Sequence, residues 1–216
     1  MDSLVDYYSQ RAAEYEDIYH RADDAQQSEL AQITDVLQDT FERRRVLEVA
    51  CGTGYWTFII SQEAKQVTGI DASDDMLAVA REKMRDYDNL RLERGDAYNL
   101  QDVAGAFDAG LANFWLSHVP HARLDEFLIQ FHKRVGNGAV IFMADNMYVP
   151  GLGGDLVRPA GSDDTFKLRE LKDGSSHRVL KNYYDEAGLR KILSPHARNL
   201  EVHLGRAYWR VRYEVG

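Results

Sequence analysis

The fold of this chain turns on the stretch VLEVACGTGYWTF, Val46–Phe58. Arg45–Ala50 is a short apolar, β-branched run and reads as a buried strand. It breaks off at two glycines around a threonine, Gly52-Thr53-Gly54. Tyr55–Gln62 then reads as a helix. Glycines lack a Cβ, so the backbone there can pass close to a ligand. The first turn of the helix offers free N–H groups to the same ligand.

Outward from this stretch the chain alternates. Ser28–Phe41 places Leu30, Ile33, Leu37 and Phe41 at helical spacing. Gln66–Ile70 reads as a second strand that ends at Asp71. Ser73 is placed to cap a helix whose apolar face is Met76, Leu77, Ala80, Met84 and Tyr87. Leu90–Glu93, Phe107–Phe114 and Gly138–Ala144 read as further strands. Pro120 precedes a helix with Leu124, Phe127, Leu128, Phe131 and Val135 on one stripe. Strands and helices alternating at this spacing predict an α/β fold with a doubly wound, mostly parallel sheet. Beyond Asn146 the pattern changes. Pro150–Gly161 is a glycine- and proline-rich loop, long enough to be a lid. Arg169–Lys181 reads as a hairpin around Asp173-Gly174. A helix over Tyr184–Leu193 and two strands, Leu200–Leu204 and Tyr208–Val215, close the chain.

Composition narrows the function. The chain has 216 residues and a net charge of −9, a size suited to one domain. Its longest basic run is Arg43–Arg45. Nucleic acid and anionic membrane surfaces are disfavoured as partners, because both call for a concentrated basic face. One cysteine, Cys51, leaves no internal disulfide or cysteine metal cluster. The start, MDSLVDYYSQ, has neither the basic nor the apolar region of a signal peptide, and no apolar run approaches a membrane span. A soluble cytoplasmic protein is the expectation. None of the seven histidines forms an H-x-x-x-H or similar pair, so no metal is implied. There is no G-x-S-x-G elbow.

In a doubly wound sheet the ligand sits beyond the carboxyl ends of the strands, at the switch point. Asp71, closing the second strand, is placed to accept hydrogen bonds from a ribose diol. The ligand expected is an adenosine-type nucleoside derivative. A dinucleotide fingerprint wants a third glycine where this chain has Thr57, and a P-loop wants G-K-[ST]. Glu48, just ahead of the glycines, would serve a pyrophosphate poorly but would tolerate an ammonium group.

Glu48-Val-Ala-Cys-Gly-Thr-Gly54, then Asp71, then Gly95-Asp96-Ala97, then Phe107-Asp108, together resemble the class I S-adenosylmethionine-dependent methyltransferases over roughly residues 5–147. The resemblance implies a seven-stranded α/β sandwich, parallel except for its reversed last strand, with an N-terminal helical lid and a late β-hairpin insertion. The chain is read as a single domain: lid 1–27, cofactor-binding core 28–147, lid loop and hairpin 148–183, and C-terminal helix and strands 184–216. The resemblance implies S-adenosylmethionine as cofactor and a small-molecule methyl acceptor as partner. By the same resemblance the Gly52–Gly54 turn, with Ala50, supports the methionine part. Asp71 with Ala72 holds the ribose, Asp96 and Ala97 meet the adenine, Met76 packs on its ring, and Asn113 faces the amino-acid end.

Before the sheet, Asp6–Arg21 places Tyr8, Ala12, Tyr15 and Tyr19 on one helical face and Tyr7 and Arg11 on another. The segment resembles the aromatic lid of small-molecule members of the family. Tyrosine faces attract a sulfonium where water is excluded, and Arg11 is placed to reach a carboxylate. Tyr7, Arg11 and Tyr15 are thus expected at the cofactor, and Tyr8 and Tyr19 in the acceptor pocket. Methyl transfer is mostly a task of positioning, with a base where the acceptor is a hydroxyl or an ammonium. His118, in the Asn113–Pro120 loop after the fourth strand, is the candidate base. Tyr7 is the second catalytic candidate. Trp115, Asn146, Tyr148, Arg158 and Arg169 complete the expected acceptor pocket, with the basic groups of the lid and hairpin placed to bind a carboxylate or phosphate. Two rival functions share these motifs: another reaction of the same cofactor, such as cyclisation of its methionine moiety, and a non-catalytic nucleoside- or partner-binding domain.

Overall fold

A computed structural model of the chain describes residues 2–20, 23–171 and 174–216. Strands β1 (Arg45–Val49), β2 (Gln66–Asp71), β3 (Leu90–Arg94), β4 (Ala109–Leu111) and β5 (Val140–Asn146) run parallel. Two later strands, β9 (Ala197–Leu204) and β10 (Tyr208–Val215), complete a seven-stranded sheet in the order β3-β2-β1-β4-β5-β10-β9. Only β10 is reversed, pairing antiparallel with β5 on one side and β9 on the other. This is the doubly wound architecture expected of the alternation. The order reverses between β1 and β4, so the carboxyl ends of these two strands part there and leave a crevice.

The core lies on both faces of the sheet, as a parallel sheet requires. One side packs β1, β4, β5 and β10 against α5 (Leu124–Val135) and α6 (Glu186–Leu193), through Phe127, Phe131, Leu189 and Trp209. The other packs the sheet against α2 (Asp24–Phe41) and α3 (Tyr55–Ser61), through Ile33, Phe41, Trp56 and Ile60. Helix α2 begins before the expected Ser28, because the Asp23 carboxylate caps it by accepting from Ala25 and Gln26 N–H at 3.0 and 3.1 Å.

Three expectations are corrected. The fourth strand covers only Ala109–Leu111, not Phe107–Phe114; the chain leaves the ladder at Phe114, whose φ is +54°. The N-terminal segment is not one helix. Helix α1 (Asp2–Gln10) ends before Arg11, and a 3-10 segment, Ala12–His20, follows. The late insertion is a three-stranded antiparallel sheet rather than a hairpin. The glycine-rich loop supplies β6 (Leu156–Val157), which pairs with β7 (Phe166–Glu170), and β7 pairs with β8 (Ser176–Leu180). Of the expected Asp173-Gly174 turn, Asp173 lies outside the described residues. No helix among the described residues is long and apolar enough to cross a membrane.

Candidate functional site

The glycine turn after β1 is held by its conformation and by Asp71. Gly52 and Gly54 take φ of +57° and +76°, the left-handed region that favours glycine. Asp71 accepts the Gly52 N–H at 2.9 Å with Oδ2 and the Ser73 N–H at 2.8 Å with Oδ1. Each oxygen can accept a further hydrogen bond. Burial pushes the Asp71 pKa up, opposed by these backbone donors. Ser73 caps α4 (Asp74–Lys83) by accepting from Met76 N–H at 3.2 Å, which fixes Met76 at the cleft wall. Ala50 and Phe114 also take left-handed φ, +53° and +54°. Such conformations cost about 1–2 kcal/mol in residues with a Cβ, and here they stand at the ends of the two strands that part.

An inner cleft opens over this turn. It is lined by Ala50, Gly52, Asp71, Ala72, Met76, Asp96, Ala97, Asn113 and Trp115, with Leu4, Val5 and Tyr8 from the N-terminal segment. Asn113 is 6% exposed, and neither its amide oxygen nor its nitrogen has a partner in the chain. Buried amides are almost always satisfied, so this one is set for a ligand's polar group. The cleft walls are mostly apolar, with Asp71, Ser73, Asp96 and Asn113 among their polar groups and Tyr8, Tyr15 and His118 where the cleft meets the outer space.

The N-terminal segment closes over both the cleft and a second, outer cavity. Ser9 and Ser73 share a 2.7 Å hydrogen bond, and Thr53 donates to Glu16 at 2.7 Å. Glu16 also pairs with Lys83. The lid is thereby tied to the glycine turn and to α4. The outer cavity, about 370 Å³, lies under the lid and the small sheet. Tyr7, Arg11, Tyr19, Asn146, Lys167, Arg169 and Lys181 are among its walls. Four residues line both spaces: Tyr8, Tyr15, Phe114 and His118.

His118 is held at this junction from two sides. Its Nδ1 lies 2.6 Å from the Leu180 carbonyl, which can only accept, so Nδ1 carries the proton. Its Nε2 therefore presents a lone pair and accepts from the Tyr8 hydroxyl at 2.9 Å. Burial, and then the charge of Lys181, lower its pKa to about 3, so the ring is neutral at pH 7. Beneath it lies a buried ion pair. Lys181 Nζ is 2.7 Å from Asp145 Oδ1 and donates to Ser117 Oγ at 2.7 Å. Asp145 also accepts from the Ser117 and Asn146 backbone N–H groups. The pair joins the end of β5, the turn carrying His118, and the segment after β8.

Comparisons with known proteins bear on this geometry. A family profile described as "Methyltransferase domain" matches residues 46–138, the span from β1 to the start of β5. The solved structure of DhpI bound to S-adenosylhomocysteine superposes with a TM-score of 0.76 at 27% identity, covering all of this chain and 96% of that one. DhpI has also been solved with S-adenosylmethionine, at the same identity.

Residues 46–138 match a methyltransferase domain, and the whole chain has the fold of methyltransferases solved with S-adenosylmethionine or S-adenosylhomocysteine.

Demethylmenaquinone methyltransferase of Staphylococcus aureus is 39% identical over 90 residues, which are 39% of this chain and 37% of the relative. The chain thus spans little more than a third of the curated relatives it matches. CalS10, an amino pentose methyltransferase of Micromonospora echinaspora, shares the fold, with a TM-score of 0.60 at 19% identity over 86% of this chain and 90% of that one.

The cofactor of the family is S-adenosylmethionine, and the inner cleft fits it. An apolar slot suits the adenine, Asp71 has free lone pairs for the ribose, and the unpartnered Asn113 amide suits the amino-acid end. Ala50, Gly52, Asp71, Ala72, Met76, Asp96, Ala97 and Asn113 all line this cleft, where the sequence put them. Tyr15 lines both spaces. Tyr7 and Arg11 do not line the cleft; they face the outer cavity, with the Arg11 Nη1 donating to the Tyr7 hydroxyl at 3.0 Å. Gly54 does not line it either. Its Cβ position is filled by Met84 and Ala80, so it serves the turn's packing.

Glu48 sits behind the turn, 2% exposed, and accepts from Thr57 Oγ1 at 2.6 Å. Burial raises its carboxyl pKa to about 8. Of the expected acceptor residues, Tyr8, Tyr19, His118, Asn146 and Arg169 line the outer cavity, whereas Trp115 lines the cleft. Arg158 and Tyr148 line a neighbouring depression beside His121 and Tyr183, and the Tyr148 and Tyr183 rings lie 5.2 and 5.9 Å from the Lys167 Nζ of the outer cavity. Arg158 stands one residue past the end of β6. Lys167 escaped the sequence reading, and Lys181, expected with the hairpin's other basic groups to bind an acceptor anion, is instead held by Asp145 and Ser117. Alternation along Phe166–Glu170 is the one signal that points to Lys167.

Proposed function

We propose that this chain transfers a methyl group from S-adenosylmethionine to an oxygen or nitrogen of a small molecule seated in the outer cavity. The observation that carries the reading is that, among the described residues, the cleft and the cavity meet only at Tyr8, Tyr15, Phe114 and His118. A donor in one and an acceptor in the other face each other across a neutral imidazole. Bound S-adenosylmethionine supplies an activated methyl on a sulfonium. The chain's residues do the rest. Tyr8 and Tyr15 present rings at the junction, where a cation is favoured once water is excluded. The lid, tied down through Ser9 and Glu16, excludes that water. His118 keeps its Nδ1 proton on Leu180 and takes the acceptor's proton at Nε2, directly or through the Tyr8 hydroxyl.

The acidic surface, net −9, favours a small molecule over a nucleic acid. The demethylmenaquinone relatives do not bear on the acceptor. Their match is 90 residues long, too short to include both the lid and the small sheet that bound the outer cavity. The test is a panel of small hydroxyl- and amine-bearing acceptors, with both products identified. S-adenosylhomocysteine together with a methylated acceptor is expected. Methylthioadenosine in its place would mean that the cofactor is used for other chemistry.

A further inference from the structure

We propose that the acceptor carries an oxyanion headgroup, phosphoryl or carboxylate, seated by Arg169 with Lys167 beside it on the inner face of the small sheet. The proposal rests on the methyl-transfer reading above and names its acceptor class. Along β7, Lys167 is buried, Leu168 is 45% exposed and Arg169 is half-buried. Lys167 and Arg169 thus share one face of the strand, and both line the outer cavity.

The cavity's cations differ in what they are bound to. Arg11 lies 3.8 Å from Glu14 and donates to Tyr7. Lys181 is held by Asp145. Lys167, only 1% exposed, has no carboxylate in ion-pair range among the described residues; its Nζ donates to the Leu152 and Gly154 carbonyls and lies 5.2 Å over the Tyr148 ring. Arg169 makes no hydrogen bond or ion pair among the described residues. Its guanidinium packs against Gly153 of the lid loop, where a Cβ would overlap it. On the acidic side, Glu14 is the partner of Arg11, and Glu170 stands exposed at the strand end.

Two neighbouring cations thus line the cavity with no carboxylate in ion-pair range of either among the described residues; the opposing charges around them include Asp155, which acts to raise the Lys167 pKa, and Glu14 and Glu170 on the cavity wall. The charge of Arg169 helps to lower the pKa of Lys167, Lys181 and His118. A guanidinium with open donors beside an ammonium is the arrangement that binds an oxyanion in two-point fashion. Such a headgroup also offsets the positive field at His118, raising the proton affinity of Nε2 when an acceptor is bound. An anionic acceptor would in this way strengthen its own base.

The probes are inorganic phosphate and acetate, titrated at constant ionic strength into protein saturated with S-adenosylhomocysteine and into protein without it. Binding is read by calorimetry and by amide chemical shifts of β7. Saturable binding of one or both anions is expected, weakened at least tenfold in Arg169→Gln and partly restored in Arg169→Lys. S-adenosylhomocysteine affinity should stay within about twofold, which reports that the variants are folded. Phosphate alone binding assigns a phosphoryl group; acetate binding as well as phosphate assigns a general oxyanion seat. Absence of saturable binding of either anion, or equal binding in Arg169→Gln, overturns the proposal. Failure of S-adenosylhomocysteine to bind the wild-type chain would instead overturn the cofactor reading, and the anion titration without it would still judge the headgroup site.

Discussion

The Tyr8 hydroxyl lies 2.9 Å from His118 Nε2, although the two residues stand 110 positions apart. The contact links the lid to the end of β4 at the point where the cleft and the cavity meet. His118→Ala removes the proton acceptor and leaves the cleft walls in place. Turnover is expected to fall about 100-fold or more, with S-adenosylhomocysteine affinity changed less than about threefold. Steady-state kinetics beside calorimetry check this, and equal loss in both would refute the base role. Tyr8→Phe should give a smaller loss if the proton passes directly to His118, and a loss similar to that of His118→Ala if it passes through the phenol.

Asp71 does two jobs, holding the Gly52 N–H and lining the cleft with oxygens that can accept further hydrogen bonds. Asp71→Ala should weaken S-adenosylhomocysteine binding by about 10- to 100-fold, the range for loss of hydrogen bonds to a charged group. Adenine should lose much less affinity, since its expected contacts are the apolar slot and Asp96. Competition binding with the two ligands separates these outcomes.

The two glycines of the turn should respond differently to alanine. A Cβ on Gly52 meets nothing within 4 Å, so Gly52→Ala carries only the left-handed cost, about 1–2 kcal/mol. A Cβ on Gly54 would overlap Met84 Cε and stand 3.2 Å from the Ala80 Cβ. Gly54→Ala should therefore be the more destabilising by thermal or urea unfolding. Gly52→Ala should be the more damaging to cofactor affinity, because its Cβ would enter the cleft.

The Lys181–Asp145 pair is buried, at 5% and 0% exposure. Lys181→Met leaves a carboxylate in the core without its counter-ion, and should cost about 3–5 kcal/mol in urea unfolding. Adding Asp145→Asn should recover a large part of that loss. The asparagine keeps an oxygen for the Ser117 and Asn146 N–H groups and carries no charge.

Acid should destabilise the fold through its buried histidines. Burial lowers His118 to about 3 and His132 to about 4. Between those values and about 6.5 the unfolded chain takes up protons that the folded chain refuses. The histidine contribution is full above pH 6.5 and is lost as pH falls toward 4. Glu48 acts in the opposite sense. Its carboxyl, raised to about 8, stays protonated when folded, so its contribution weakens as pH rises from about 4.5 toward 8. Urea unfolding across pH 4–8 should show a falling acid limb, made shallower by His132→Gln.

What was legible in the sequence follows from how far apart the cooperating residues lie. Ala50, Gly52, Asp71, Asp96 and Asn113 each stand at or just past the carboxyl end of a strand, and strand ends can be read from local periodicity. The parallel order then brings them to one cleft without further information. The outer cavity depends on contacts that no local pattern encodes. Lys181 meets Asp145 from 36 positions away and Ser117 from 64. Arg158 and Arg169 both looked like pocket residues, but only Arg169 lines the outer cavity, while Arg158, just past the end of β6, lines a separate depression. The break at Arg11 was hidden because Tyr8, Ala12, Tyr15 and Tyr19 keep a plausible helical stripe even though the backbone changes to a 3-10 path.

The Lys181–Asp145 bridge has a bearing on anyone who would re-engineer this protein by grafting. The roof over the outer cavity looks like a detachable module, three short strands inserted between two parts of the main sheet. Its far end, however, is riveted to the floor by an interior ion pair and supplies the carbonyl that orients His118. Swapping the roof for a cousin's would strand one charge in the interior and set the imidazole loose. A chimera that keeps its chemistry must carry Lys181, Asp145 and Ser117 across together.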